Sequence, residues 1–416
     1  MLSIKNVIHF SSYLVYLLPL ALLTGSFLPD LFVSILSLIF IYIIFKEKEF
    51  TYVKNTFSIF FIIFYFYINL NSLLSDHAIF SLKSSLVYIR FGLLSVFVWY
   101  LIDKQEKFLN NFFLYLTIAF LICLASAIYQ LIFFENLVGD IKPENRLILL
   151  FSDRAVLGQY LARMFPLLFS LIVLLIGSRI KYFIYIFLIF IFTDIIIYLS
   201  GERTAFVLMI VSSLFVLIFM KKFKLFRLST ILLSLLMIIV ITFYLPNVKE
   251  RNIDLTISQL GINEKNDRLN FFSPTHESHA ITGIKMFSHN KLIGIGPNNF
   301  RKLCSDEKYI YDKKSCSTHP HHILIQIGSE IGLIGLLFFF TLIFYLTIII
   351  FKHIKTLFSK NKNYLSDYQV CLVSCFVCTL FPLVPSLNFF NGWMSIIYFL
   401  PVGFYLQSIS KNKNII

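Results

Sequence analysis

Apolar runs of about 20 residues, the length of a membrane span, recur from end to end of this 416-residue chain. Nothing else in the sequence constrains the fold as tightly. A helix rises ~1.5 Å per residue, so such a run crosses a ~30 Å hydrocarbon layer. Inside that layer only a helix or a closed barrel satisfies every backbone N–H and C=O. A chain that is 58% hydrophobic and 14% charged, with a mean hydropathy of +0.81, has too little polar surface to cover a soluble globule. The expectation is an all-α polytopic membrane protein, residues 1–416 forming a single integral membrane domain.

Twelve spans are predicted, at 8–26, 30–45, 55–73, 82–102, 111–133, 158–177, 182–199, 204–220, 228–245, 323–351, 368–386 and 392–409. The amino terminus (MLSIKN) runs into the first of these with no small-residue cleavage site, so it reads as a span rather than a removed signal. With that terminus inside, every second connection is cytoplasmic. Those connections hold eighteen of the 36 Lys and Arg, with Lys221, Lys222, Lys224 and Arg227 among them, whereas the short opposite turns around Pro29, Asp76 and Asn388 hold none. This is the positive-inside pattern, and it puts both termini in the cytoplasm. The net charge of +14 therefore reports topology and not a nucleic-acid partner. The 49 Phe and 22 Tyr are lipid-facing and interfacial bulk.

Two connections on the outer face are longer, at about 134–157 and 246–322. The second is a large extracytoplasmic loop before the tenth span. Its 11 Lys and Arg leave the topology standing, because long translocated segments escape the charge rule. Short helices and ordered coil are expected within it. Residues 276–290 read as an amphipathic helix with Ile281, Ile284, Met286 and Phe287 on its apolar side.

Ionisable groups inside or at the ends of spans cost roughly 2.5–3.5 kcal/mol at mid-membrane and point to function. Arg90, Asp194, Arg203 and Glu330 qualify. Structural alternatives stand beside each arginine: Arg203 as an interfacial residue paired with Glu202, Arg90 as half of an ion pair with Asp194 a candidate partner, Arg163 as an interface anchor. Taken together, Arg90, Arg146, Arg154, Arg163 and Arg203 map to the outer half. Forked guanidiniums suit a phosphate or pyrophosphate, and with no nucleotide-binding loop in the chain a lipid-linked anion is the expected ligand.

Six of the nine histidines lie between 276 and 322. An imidazole titrates near neutrality and serves as a general base toward a hydroxyl, with solvated loop histidines as the plain alternative. HPHH with the distant HESH also offers imidazoles to zinc, but the spacings match no closed site and Pro320 splays the local pair, so no metal is expected. Cys304 and Cys316 are the two cysteines of the outer loop and are read as a disulfide, which closes a short loop for ~3 kcal/mol. Cys371, Cys375 and Cys378 are ordinary helix filling.

KLIGIGPNNFRKLC (291–304) and CSTHPHHILIQIGSEIGLIG (316–335), with SGERTAF and FSDRAVLGQYLARMFPL upstream, resemble the bacterial O-antigen ligase and O-antigen polymerase family over roughly 140–340. The family's GxGxxxF element, loop histidine and helix with Glu and GxxG correspond to Gly294, Gly296, Phe300, His321, Glu330, Gly332 and Gly335. The family usually has His-Asn where this chain has His321-His322. Many members carry an arginine at the position of His276. The resemblance implies a GT-C-like helix bundle in the bacterial inner membrane with a periplasmic active site and no cofactor. The donor would be a glycan on undecaprenyl pyrophosphate, and the acceptor a sugar hydroxyl on lipid A–core or on a growing polymer. It implies His321 as the base, with His319 in reserve, and arginines on the leaving pyrophosphate. Glu330 either orients the imidazole or pins its helix. A secondary transporter or lipid-linked glycan flippase is the alternative that twelve spans with buried charges also admit.

Overall fold

The computed structural model describes residues 3–139, 146–150, 155–177, 182–261, 272–357 and 363–413. Every regular element among them is helical. The first half comprises α1 (Ile4–Ala21), α2 (Phe27–Glu47), α3 (Thr56–Leu73), α4 (Ala78–Ser85), α5 (Ile89–Lys104), α6 (Phe108–Phe133), α7 (Leu157–Leu171) and α8 (Phe183–Leu199). There follow α9 (Arg203–Phe219), α10 (Lys224–Tyr244), α11 (Pro246–Lys249), α12 (Leu255–Gln259), α13 (Pro274–His289), α14 (Phe300–Leu303), α15 (Ile323–Leu357), α16 (Asp367–Leu380) and α17 (Gly392–Lys413).

Among the described residues, nine helical segments are long and apolar enough to cross a membrane, α4 and α5 counting as one run from Ala78 to Lys104. Three shorter apolar helices, α8, α9 and α16, occupy the remaining predicted spans. Length alone therefore supports nine crossings, and the difference from twelve lies in these three. Of the three, α16 is the enclosed one, with Val370, Cys371, Leu372, Val373, Cys375 and Cys378 fully buried, whereas α8 and α9 each leave an apolar face exposed. The core runs through the middle of the bundle, where α5 lies along α17 and α16 lies between α7 and α9. Every side chain of α7 is buried. Leu, Ile, Phe and Tyr of the outer helices face outward, as lipid contact requires.

Three expectations change. Arg227 is not part of a connection. It lies in α10, fully buried, and both its Nη atoms meet the carboxylate of Asp194 at 2.8 and 2.9 Å. Asp194 is thereby spent on Arg227, and Arg90 pairs instead with Asp30 (3.0 Å) and Ser34 (3.0 Å). On α13 the buried face runs through His279, Thr282, Gly283 and Met286 while Ile284 points outward. That helix packs on α15, so its small and polar residues make the close contact.

Candidate active site

The site is assembled around a break in α15. Gly332 has φ 66 and ψ −165, which interrupts the helix one-third of the way along. A break frees carbonyls that membrane cannot satisfy. Here the loop after α13 supplies the donors: Ile295 N to Ser329 O at 2.9 Å and Gly296 N to Glu330 O at 2.8 Å, with Leu333 N returning to Lys291 O at 2.8 Å. Tyr67 of α3 donates to Ile331 O, and Asn71 to Ile293 O. The two backbones approach so closely that a Cβ at Gly332 would lie 2.3 Å from Leu292 O, and one at Gly294 2.6 Å from the Glu330 carbonyl carbon. Gly294 and Gly296 also hold positive φ.

Glu330, fully buried, faces this loop. Its carboxylate accepts from the Phe300 amide (3.4 Å) and from Gln326 Nε2 (3.0 Å). Gln326 passes on to Asn388, and Asn388 to Asn298, each at 2.8 Å. These contacts are those of a pin that locks the 294–300 loop and the α16–α17 turn onto the helix. None of its described hydrogen bonds reaches a histidine.

Four imidazoles gather beside that frame. His276 and His279, three residues apart, lie on one face of α13. His319 and His321 arrive from the loop before α15, with His321 in the left-handed region at φ 56. Its ring centroid is 4.0 Å from that of His319, 4.9 Å from His276 and 5.2 Å from His279. The loop is clasped at both histidines: Ser386 N donates to His321 O (2.8 Å), and His319 Nε2 contacts Ser386 O (3.0 Å). A carbonyl only accepts, so His319 carries its proton on Nε2, leaving Nδ1 to the Thr318 hydroxyl at 2.9 Å. Among the described residues His321 has one contact of this kind, Nε2 to Ser317 Oγ at 3.0 Å. His322 turns away toward Phe272.

Burial, followed by the other imidazoles, pushes His321 down to about 2. Burial likewise holds His276 and His319 down to about 4, with Arg203 and Arg146 acting further on His276 and Arg301 on His319. All three are neutral at pH 7. His279 and His321 stack while the other pairs are tilted, and among the described residues no three His, Cys, Asp or Glu side chains converge as a metal site.

The turn between α8 and α9 forms the other wall. Glu202 Oε1 accepts from Gly158 N at 2.6 Å and so caps α7, a favourable place for a carboxylate. Burial raises it to about 8 against the pull of that amide and of Arg146. The carbonyls at the end of α8 are capped by Leu147 N on Ser200, Asn252 on Tyr198 and Arg251 Nε on Gly201. Arg203 does not pair with Glu202. Its Nη atoms donate to Thr256 (2.7 Å) and Gln259 (2.6 Å) on α12. Burial, then Arg146 and Arg203, lowers Arg251 to about 10.

Arg146, Arg203 and Arg251 thus share one electrostatic environment, and the first two act on His276. Arg163 is buried in α7, donating to Gln159, with its Nε unpartnered among the described residues. Arg90 is bound to α2, and Arg154 lies outside the described residues. Sequence reading missed Arg251, one basic residue among eleven in a long polar loop; only the helical turn at 250–254 brings it against Gly201. Cys304 and Cys316 are bonded, with Cα atoms 5.1 Å apart, and fix the segment that leads to His319.

Residues 185–340 match the family model described as O-antigen ligase. The match contains Arg203, Arg251, the four imidazoles, Glu330 and the Gly332 break, and begins after Arg90, Arg146 and Arg163. No curated protein matches the chain. Over residues 185–340 the chain is thus similar to the O-antigen ligase family.

Proposed function

We propose that this protein is a glycosyltransferase that moves a saccharide from undecaprenyl pyrophosphate to a sugar hydroxyl at the periplasmic face of the inner membrane. The observation that carries the reading is the approach of a neutral, incompletely bonded imidazole, His321, to a histidine that feels two guanidiniums, Arg203 and Arg146. The arginines hold the pyrophosphate, and His321 takes the proton of the acceptor hydroxyl. The acceptor oxygen bonds to the anomeric carbon as the bond from that carbon to the phosphate oxygen breaks. The leaving group is undecaprenyl pyrophosphate, whose growing charge the guanidiniums stabilise. An imidazole held near 2 is a poor base on its own. Bound pyrophosphate brings negative charge beside it and raises its proton affinity, so the base gains strength when the donor is in place. His319, with both nitrogens engaged, positions the loop, and Glu330 pins it.

The transporter reading has one broken helix in its favour. The carbonyls at that break already accept from loop amides and Tyr67, which counts against their serving as ligands for a transported ion.

The test is transfer by the full chain in proteoliposomes with a polyprenyl-diphosphate-linked saccharide and an acceptor glycan. His321→Ala is expected to abolish product. Arg203→Lys, which loses the fork, is expected to lower the rate by roughly 10²–10³-fold, the range for a transition-state donor. Unchanged transfer in His321→Ala removes the base from the mechanism. In a deletion strain, repeat polymer that never reaches lipid A–core indicates ligation, and lipopolysaccharide with a single repeat indicates polymerisation.

A further inference from the structure

The opposite end of the bundle carries a cleft of about 1070 Å³ that this chemistry does not use. The 17 residues of α9 separate it from the Arg203 end, a distance of roughly 24 Å at helical rise. Val173, Leu174 and Gly177, in and just after the π-helical turn Ile172–Ile176 that ends α7, line one side of the cleft. Its far wall is the α9–α10 turn, with Phe223 in the left-handed region at φ 59. Asp367, first residue of α16, accepts the backbone N–H groups of Lys221 (3.0 Å) and Lys222 (2.8 Å). Its charge is thus met by amides, and the turn is fixed with its lysines outward.

Lys221, Lys222 and Lys224 line the cleft and are exposed. Among the described residues none of the three has a carboxylate partner. Beside them lie Phe183 and Leu225, 49% and 76% exposed, at the edge of the apolar bundle surface. Three ammonium groups with no carboxylate partner among the described residues, next to exposed apolar side chains, call for a ligand with an anionic head and a hydrocarbon body.

We infer that this cleft binds an anionic phospholipid, its phosphate among Lys221, Lys222 and Lys224 and its upper acyl chain along Phe183 and Leu225. On the charge-based topology the cleft faces the cytoplasm, where basic pockets between helices take such headgroups. A free phosphate has the same charge but gains nothing from the apolar wall.

The test is native mass spectrometry of the full chain released from phosphatidylcholine nanodiscs containing one-tenth phosphatidylglycerol or cardiolipin. The wild type is expected to retain the anionic lipid over phosphatidylcholine by on the order of 100-fold, three lysines acting together. Lys221→Gln/Lys222→Gln/Lys224→Gln is expected to lose that preference. Single substitutions, each worth about 5-fold, read the same contact should the triple variant fail to insert. Phe183→Ser/Leu225→Ser is expected to weaken retention with the lysines intact. Equal retention of both lipids by the wild type overturns the proposal. So does full displacement by millimolar inorganic phosphate, which marks a free-anion site.

Discussion

His321 holds a backbone conformation that most side chains avoid, at a cost of order 1 kcal/mol, and the Ser386 amide on its carbonyl keeps it there. Asparagine tolerates that region but has no basic nitrogen. His321→Asn is therefore expected to keep the melting temperature of the wild type in detergent while transfer falls by roughly 10²–10⁴-fold, the range for a general base. Equal losses of stability and activity would make the residue structural. The cluster also sets a pH dependence. Burial lowers His276 from 6.5 to about 4, so the unfolded chain takes a proton that the fold refuses. Its contribution is complete above pH 6.5 and is lost as pH falls toward 4. Glu202, raised to about 8, runs the other way, favouring the fold as pH drops from 8 toward 4.5. Subtracting the melting profile of His276→Asn removes Glu202 from the comparison. The wild type is expected to lose more stability than this variant between pH 6.5 and 4.5, and parallel profiles would refute the shift. That His319 and His321 lie together was legible from their two-residue spacing before a hydrophobic span, whereas their approach to His276 and His279 was not, because the packing of α13 on α15 sets it. Arg227 was misplaced because charge counting sorts a lysine-rich turn by position and cannot see one side chain turn inward to Asp194.

Among elements, α15 departs furthest from its sequence pattern. Its apolar run predicts one continuous span, and the helix is broken at Gly332 by a second backbone. Periodicity carries no record of such a break, because the side chains on either side are equally apolar. The glycines were visible in the motif, but their reason is the close pairing of 291–296 with 329–334. This separates glycines that look alike. Gly332→Ala would put a Cβ 2.3 Å from Leu292 O at positive φ, whereas one at Gly328 meets its nearest neighbour, Leu336, at 3.5 Å. Gly332→Ala is expected to release the loop and the Glu330 pin with it, abolishing transfer and exposing 290–300 to protease. Gly328→Ala is expected to stay within about 1 kcal/mol of the wild type, as an unstrained helix glycine does. Comparable behaviour of the two would deny the loop its role in closing the break.

For the whole molecule, the open quantity is the number of crossings, since α8, α9 and α16 are short. Their contacts argue that each joins the two ends of the bundle. The α8–α9 turn touches Leu147 and Arg251 near the histidines, while the far end of α9 leads to Lys221 and Lys222 on Asp367. From Asp367, α16 runs back toward Ser386, which holds His319 and His321. Being enclosed by protein, α16 need not match the full hydrocarbon thickness, because its ends meet other helices rather than lipid. Twelve crossings put both termini on one side and the histidine loop on the other. The exposed positions Asp76 and Lys313, changed singly to cysteine, are expected to react with an impermeant maleimide in intact cells. Cysteine at Lys54, Glu106 or Lys411 is expected to react only after permeabilisation. The native thiols stay silent, since Cys123, Cys371, Cys375 and Cys378 are buried and the other two are bonded. Lys411 decides the matter, because losing α16 alone from the count moves the carboxyl terminus across the membrane. Labelling of Lys411→Cys from outside would remove α16 as a crossing and with it the even topology.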